Sequence, residues 1–551
     1  MRTLDEYVLS LEGEKLTHFS HVSIAQHFDG HHFFEVSVPA SALKNFENRL
    51  GKVLKIQWRE KVDSKQVENS FSGILVEVGT LKQSQEHYEV ILRGRSPTFL
   101  LDGGARCRSF SEKSLQQVVK EILSPYPENL LHPKIKPKSN KAIPYVVQYR
   151  ESDFQFLSRL AAHDGEWFVY DGSALYFGEC PDNGATELKL GQNLSSVELT
   201  LRIAPTQFRW LAYDYRKNER YESLSSQATV SGSNTYSKVA LQVSDKIMKP
   251  ECLQPVAQDF TEKRQLDDRL LNFKASMIND LVALSGTSDA PDLTIGKVVT
   301  VQGAGEQDGK YLIIAVSHSM DSGGHYENRF EAIPTGGTSP PLRRLVADPF
   351  CEAQTAVVED NNDPDGLGRV RVRFLWQQAP EMSPWIRVVS LHSGADKGVF
   401  FIPEKNDEVL VGFESNHPER PFVMGAVYHK NAKPSEWQDK ENNKKAFRTK
   451  SGNQIYFSDE KGKEEIRIFN KDKANEICLT LEGQGKISLK SKDTLELSAK
   501  SIIINADSKI SIKSNGETKI EAVNTSLDSS GKLEVNGGSL AEIKAGIIRL
   551  N

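Results

Sequence analysis

The side chains that could do chemistry are plentiful but scattered. Glycoside hydrolysis would suit a chain with 74 Asp and Glu among 551 residues, and it requires two carboxylates about 5 to 10 Å apart in a cleft. No acidic residue here sits in a recognisable catalytic context. No Gly-x-Ser-x-Gly elbow, His-Glu-x-x-His helix or phosphate loop occurs, and "GAGEQDGK" from Gly303 reads as a Gly-containing hairpin. His31 and His32 are adjacent. Neighbours on a strand point to opposite faces, so a structural role is expected in place of a shared metal. The five cysteines, Cys107, Cys180, Cys252, Cys351 and Cys478, lie far apart and are odd in number. Without a Cys-x-x-Cys pair they suggest neither zinc nor redox chemistry, and buried single thiols are expected. No catalytic residue, cofactor site or metal ligand is assigned.

The elements that would have to position any site are mostly strands. The length predicts three or four folded units at about 100 to 200 residues each. With 38% hydrophobic and 26% charged residues, no apolar run approaches the ~20 residues of a membrane helix. The start, "MRTLDEYVLSLEGEKL", carries acids where a signal peptide has its basic and apolar regions. Synthesis in the cytoplasm, and export without a cleaved leader, are expected. A net charge of −5 is small for this size and weighs against a nucleic-acid partner.

Residues 1–100 read as β-rich: "FDGHHFFEVSVPA" has an Asp29-Gly30 turn before a strand, and "KVLKIQWREK" and "EHYEVILRG" alternate. Two helices follow. "SEKSLQQVVKEIL" puts Leu115, Val118, Val119 and Ile122 on one face. In "ESDFQFLSRLAAHDG", Ser152 and Gln155 fit a capping box, Phe156, Leu157, Leu160 and Ala161 make the stripe, and Gly165 is a stop. A hairpin around Asp171-Gly172 comes next. Residues 190–335 return to strands with one helix around 258–283. "IPTGGTSPPLRRL" from Ile333 then has linker chemistry, which places a boundary at 336–345.

Residues 346–430 read as a small barrel. In "NNDPDGLGRVRVRFLW", Pro364, Asp365, Gly366 and Gly368 make a turn. Val370, Val372 and Phe374 then face inward, while Arg369, Arg371 and Arg373 form a solvated or intersubunit row. Barrels of this kind often bind single-stranded nucleic acid, but eight Lys and Arg face twelve Asp and Glu between Cys351 and Lys430. A polar connector with short strands spans 431–484.

From Gly485 the pattern changes again. Ile487 and Leu489, Leu495 and Leu497, Ile502 and Ile504, Ile510 and Ile512 recur about every eight residues. A single-chain β-helix needs on the order of 20 residues per coil, so one strand and one turn per repeat cannot enclose a core alone. Three chains forming a prism would solve this and leave no free lateral edge. A flat single-layer sheet is the alternative. "AEIKAGIIRLN" puts Ile547, Ile548 and Leu550 at the terminus with no polar cap, so this layer is either frayed or covered.

These stretches resemble the VgrG family, the spike proteins of type VI secretion and related contractile injection systems. "YRESDFQFLSRLAAHDGEWFVYDG" is similar to the family's hub motif. "DNNDPDGLGRVRVRF", "SPWIRVVS" and "KNDEVLVGFESNHPERPFVMGAVYH" resemble its OB-fold, and the terminal repeats resemble its β-helix. Asn406-Asp407 stands where the family usually has Gly-Asp, and Asn416-His417-Pro418 where it has Gly-Asp-Pro; both are turn-compatible. The resemblance implies a mainly β, multidomain chain: a hub at 1–335 with two β-barrel subdomains and small α/β parts, the linker, an OB-fold barrel at 346–430, the connector, and a homotrimeric, triple-stranded intertwined β-helix needle at 485–551. It implies a non-enzymatic central spike that contacts an Hcp-like inner tube and baseplate proteins at the hub end. A PAAR-type tip protein would dock on Ile547, Ile548 and Leu550, with effector cargo carried and the target membrane contacted transiently. The spike would be assembled into the apparatus and delivered outside the cell. The alternative function is a cell-wall or polysaccharide hydrolase, or a tailspike-like adhesin of a phage tail.

Overall fold

The computed structural model describes residues 2–4, 6–43, 45–62, 65–82, 88–230, 234–249, 251–337, 339–343 and 346–549. The class is mainly β, with 39% strand against 14% helix. The chain divides into two units, Met1–Lys433 and Pro434–Asn551.

In the first unit one 14-stranded sheet joins an N-terminal group of strands to a second group at 194–334. They meet where Gly309–Asp321 pairs antiparallel with His21–His27, with His318 opposite Ile24 and Met320 opposite Val22. The alternation read in "KVLKIQWREK" and "EHYEVILRG" is realised in the strands Val53–Val62 and Tyr88–Arg95, and His21–His27 turns through Asp29-Gly30 into Phe33–Pro39. "GAGEQDGK" is a hairpin between Val298–Gln302 and Gly309–Asp321.

The α-helices are α1 (Leu115–Leu123), α2 (Glu128–Leu131), α3 (Asp153–Asp164), α4 (Thr235–Ile247) and α5 (Lys263–Asp280). Helix α1 buries Leu115, Val118, Val119 and Ile122, and has a capping box from Ser114 and Gln117 that the pattern reading did not use. The single helix expected at 258–283 is α5, which begins only after Glu262; α4, in a region expected to be strand, is an addition. Its buried face is small and polar, Ser237, Ala240 and Ser244, while Val239, Val243 and Ile247 are exposed. Tyr236 and Leu241 pack inward beside Ala240, so apolar residues lie on two sides of the helix and give no single stripe to detect.

Strand Ala142–Glu151 has a special place. It pairs with Arg106–Ser114 and is buried on both faces: Val146 joins the core built on α1 and α3. Tyr145, Val147 and Tyr149 join the core of the barrel at 351–423, with Val358, Val370, Val372, Phe374, Val409 and Val411. Successive strand residues face opposite ways, so one strand closes two cores. The barrel sheet runs Arg371–Phe374, Gln354–Asp360, Glu408–Phe413, Pro421–Ala426. Among residues 336–343, Ser339 and Arg343 are buried, held by Asn279 Nδ2 to the Ser339 carbonyl (2.6 Å) and by Arg343 to the Phe28 and Phe168 carbonyls. The Pro-rich segment is thus anchored by side-chain-to-carbonyl hydrogen bonds, unlike a solvated tether.

In the second unit Lys444–Arg448, Gln454–Ser458, Glu465–Phe469, Glu476–Thr480 and Lys486–Lys490 form an antiparallel meander. The register lines up Phe447, Ile455, Ile468, Ile477 and Leu489 in one row. The strand at 486–490 therefore belongs to this meander. Residues 491–549 make no strand pairing within the chain.

Candidate functional site

Two places concentrate unusual side chains: the junction of hub and barrel, and the apolar face of the second unit. The junction is built on α3. Ser152 Oγ accepts from the Gln155 N–H (3.1 Å) and Gln155 Oε1 from the Ser152 N–H (3.0 Å), while Gly165 ends the helix at φ 65°. These caps aim Arg159, 1% exposed, at the strand that closes both cores. Its Nε and Nη2 each donate to Glu151 at 2.8 Å, Nη2 donates to the Val147 carbonyl at 2.7 Å, and Nη1 lies 3.5 Å from Glu419 of the barrel. Burial pushes the Glu419 carboxyl above its usual range, against the pull of Arg159.

Around this pair lie His163, 2.9 Å from Asp348, and His417, 1% exposed. Burial lowers the His417 imidazole to about 4, and burial with Arg269 nearby lowers His163. At the start of α3, Asp153 accepts from Gln148 Nε2 (2.9 Å), Tyr126 (2.6 Å) and Arg108. Further bonds cross from hub to barrel: Tyr149 to Glu352 (2.9 Å), Arg150 to Glu352 (2.7 Å) and Gln377 to Ser109 (2.7 Å). A cleft of about 600 Å³ opens beside them, lined among others by Lys138, Glu166, Tyr215, Arg216, Trp385 and Glu419. Within the lock, Glu151, Asp153 and Glu352 accept hydrogen bonds from Arg159, Gln148, Tyr126, Tyr149 and Arg150, which is structural work.

The arginine row differs from its expected exposure. Arg369 is 4% exposed and grips Asp363 through Nε (3.0 Å) and Nη2 (2.7 Å). Asp363 also accepts from the N–H groups of Asp365, Leu367 and Arg369; these bonds, that to Arg369 first, hold its carboxyl well below the usual range. Arg371 lies over Trp385 (5.1 Å) and Arg373 reaches Glu359 (2.6 Å). The row works within the chain. Asp363, the organiser of the turn, was missed, although Asp opening a Pro-Asp-Gly turn is its available signal. Asn406 and Asn416 adopt φ 73° and 57°, so both substitutions tolerate the left-handed turns, and Cys351 N–H donates to the Asn416 carbonyl (2.8 Å).

His31 and His32 do diverge: His31 bonds Thr98 (2.9 Å) and Asp102 (2.8 Å), while His32 is fully buried beside Gln26, Phe71 and Tyr170. Burial lowers His32 and His318 to about 3, so both are neutral core groups. All five cysteines are free; Cys351 and Cys478 are buried, whereas Cys252, on the edge strand Cys252–Pro255, is exposed. That exposure corrects the expectation of uniform burial.

On the second unit, the row Phe447, Ile455, Ile468, Ile477, Leu489 and its neighbours Ile466, Leu479 and Ile487 are all exposed in the single chain. The repeats beyond are more so: Ile512 is 78% and Ile520 74% exposed. Ile547 and Ile548 are exposed as well; Leu550 lies outside the described residues.

Residues 31–324 match the family profile of the phage tail baseplate hub (GPD), and residues 354–428 that of the type VI secretion system/phage-baseplate injector OB domain. The chain is 27% identical over 388 residues to the type VI secretion system spike protein VgrG5 of Pseudomonas aeruginosa, covering 61% of this chain and 47% of that one. It is 25% identical over 363 residues to the actin cross-linking toxin VgrG1 of Vibrio cholerae, covering 59% of this chain and 32% of that one. The chain thus spans about half the length, or less, of these relatives. A chain of the lidded Francisella PdpA-VgrG complex shares the fold at a TM-score of 0.58 and 8% identity, covering 89% of this chain and 81% of that one. A hub profile over more than half of the residues, followed in order by the injector-type barrel, makes this chain a member of the phage tail baseplate hub family, of the VgrG type.

Proposed function

We propose that this protein is the homotrimeric central spike of a contractile injection apparatus. The observation that carries the reading is the apolar face at 447–489 and the exposed repeats to 548. A soluble chain does not leave so many aligned Ile and Leu in water, and residues 491–549 find no strand partner within the chain. Three copies supply both. In this reading the hub end meets an Hcp-like tube and baseplate proteins, Ile547, Ile548 and Leu550 seat a PAAR-type tip protein, and effectors ride on the spike. The chain acts mechanically, without catalysis of its own, and leaves the cell with the apparatus. Among the described residues no helix is long and apolar enough to cross a membrane, in keeping with contact that is only transient. No observation favours the hydrolase or adhesin.

The test is the solution mass of the full chain beside a version ending at Lys433. The expected result is three times the 61.6 kDa chain mass in an SDS-resistant form, lost on truncation. A stable full-length monomer would sink the proposal.

A further inference from the structure

Helix α4 carries a second unpartnered surface, far from the ion-pair lock in composition and unrelated to the apolar repeats in sequence. Its solvent side holds two parallel ridges at i, i+4 spacing. One is apolar: Val239, Val243 and Ile247, exposed by 46%, 38% and 59%. The other is basic and polar: Lys238, Gln242 and Lys246, all exposed, with Lys249 beyond. Lys238, Lys246 and Lys249 pair with no carboxylate among the described residues. The one acid of the helix, Asp245, is engaged by Thr206 Oγ1 at 2.6 Å. Arg202, also exposed, lies close by, since the Ala204 N–H bonds Ser244 Oγ (3.2 Å).

The inward face explains why this cannot be a core stripe. Ser237, Ala240 and Ser244 lie against the chain, and Ser244 Oγ also bonds the Ala240 carbonyl. Asn234 caps the helix by accepting from the Ser237 N–H (2.9 Å), so α4 is a fixed element. Three β-branched side chains left about half in water on a fixed helix forgo apolar burial that a partner could supply.

The geometry points to α4 as a docking surface for an acidic amphipathic helix of another protein. A ridge of Val, Val and Ile about 12 Å long fits the groove of a crossing helix. Glu or Asp beside that groove meets the lysine ridge at unpaired cations. A membrane is the weaker fit, because interfacial helices present Trp, Phe and Leu and this ridge has none. The surface is read on the single chain and is here placed on the outside of the proposed assembly; its test reads peptide binding, whereas the spike's test reads mass, so the two fail separately.

The probe is a fluorescein-labelled, helix-stapled synthetic peptide of about 18 residues with a Leu stripe flanked by Glu. It is titrated into the full-length protein by anisotropy, beside a same-composition scramble and a Lys-for-Glu version. Tight binding of the acidic stripe alone is expected, with both controls at least ten-fold weaker. K238E/K246E should weaken it about ten-fold and favour the Lys version, and V243D should abolish it. Both variants should keep the tryptophan unfolding transition; if V243D does not fold, the lysine pair decides. Absence of binding, equal binding of the scramble, or indifference to K238E/K246E overturns the inference. So does competition by phosphatidylserine vesicles, which would make the surface a membrane site, or a change in oligomeric mass, which would make the occupant a second copy.

Discussion

Residues 1–433 and residues 434–549 treat apolar side chains in opposite ways. The first unit buries Val36, Leu92, Phe156, Val370 and Val411 completely. In the second, the buried hydrophobic residues among those described are Phe469 and Cys478, each still 9% exposed, while whole rows of Ile and Leu face outward. One region satisfies itself by folding back, and even spends a single strand, Ala142–Glu151, on two cores. The other pairs its strands at 444–490 in a single layer and has no second layer of its own to cover the apolar face. In the proposed spike, enclosure belongs to one chain in the first case and to the assembly in the second.

The contrast can be broken at either side. The largest effect is expected from Ile468→Asp with Ile477→Asp, since every copy then contributes charges to the apolar face at several kcal/mol per buried ion. The mass should fall to one chain, while the tryptophan transition, reported by five of six tryptophans in residues 1–433, stays in place. Arg159→Met reverses the pattern. It strands Glu151 and Glu419, costs the first unit about 3 to 5 kcal/mol and lowers that transition in urea, with the oligomeric mass unchanged.

Acidification sharpens the comparison further. His417, with a folded value of about 4 against about 6.5 unfolded, faces Asp348, Arg159, Arg269 and Arg420 and stays neutral when folded. The unfolded chain binds its proton first. Stability is therefore full above pH 6.5 and falls by roughly 3 kcal/mol on the way to pH 4. His163, also lowered, acts with the same sign. Denaturant midpoints between pH 7 and 4 should show the loss in the first unit, and His417→Asn should flatten the slope. The smallest change lies at Asn406, φ 73°: Asn406→Gly should be neutral and Asn406→Ala should cost about 1 kcal/mol, read as a midpoint shift at constant m-value.

Much of this was legible because the causes were local. The cap of α3 needs only Ser152, Gln155 and Gly165, and the inward row Val370, Val372, Phe374 needs only alternation. Asn406 and Asn416 were readable as turn residues because αL tolerance belongs to the residue itself. Helix α4 was not legible, since its apolar side chains are split between an inward pair, Tyr236 and Leu241, and an outward ridge, Val239, Val243 and Ile247, with Ser and Ala at the fully buried positions. The arginine row was misjudged for a related reason: polar alternation says which face a residue takes, but not that Asp363 and Trp385 wait there.

By itself, then, the sequence determined what neighbours within a few residues dictate: strand and helix periods, caps, turns, and the eight-residue recurrence of apolar pairs in the last segment. Only the tertiary structure decided which distant groups meet. Arg159 joins Glu151 to Glu419, and Tyr145, Val147 and Tyr149 complete a barrel whose strands begin some 200 residues later. Such pairings depend on chain reversals that no local pattern encodes, and a buried charge becomes tolerable only after its partner has been brought to it.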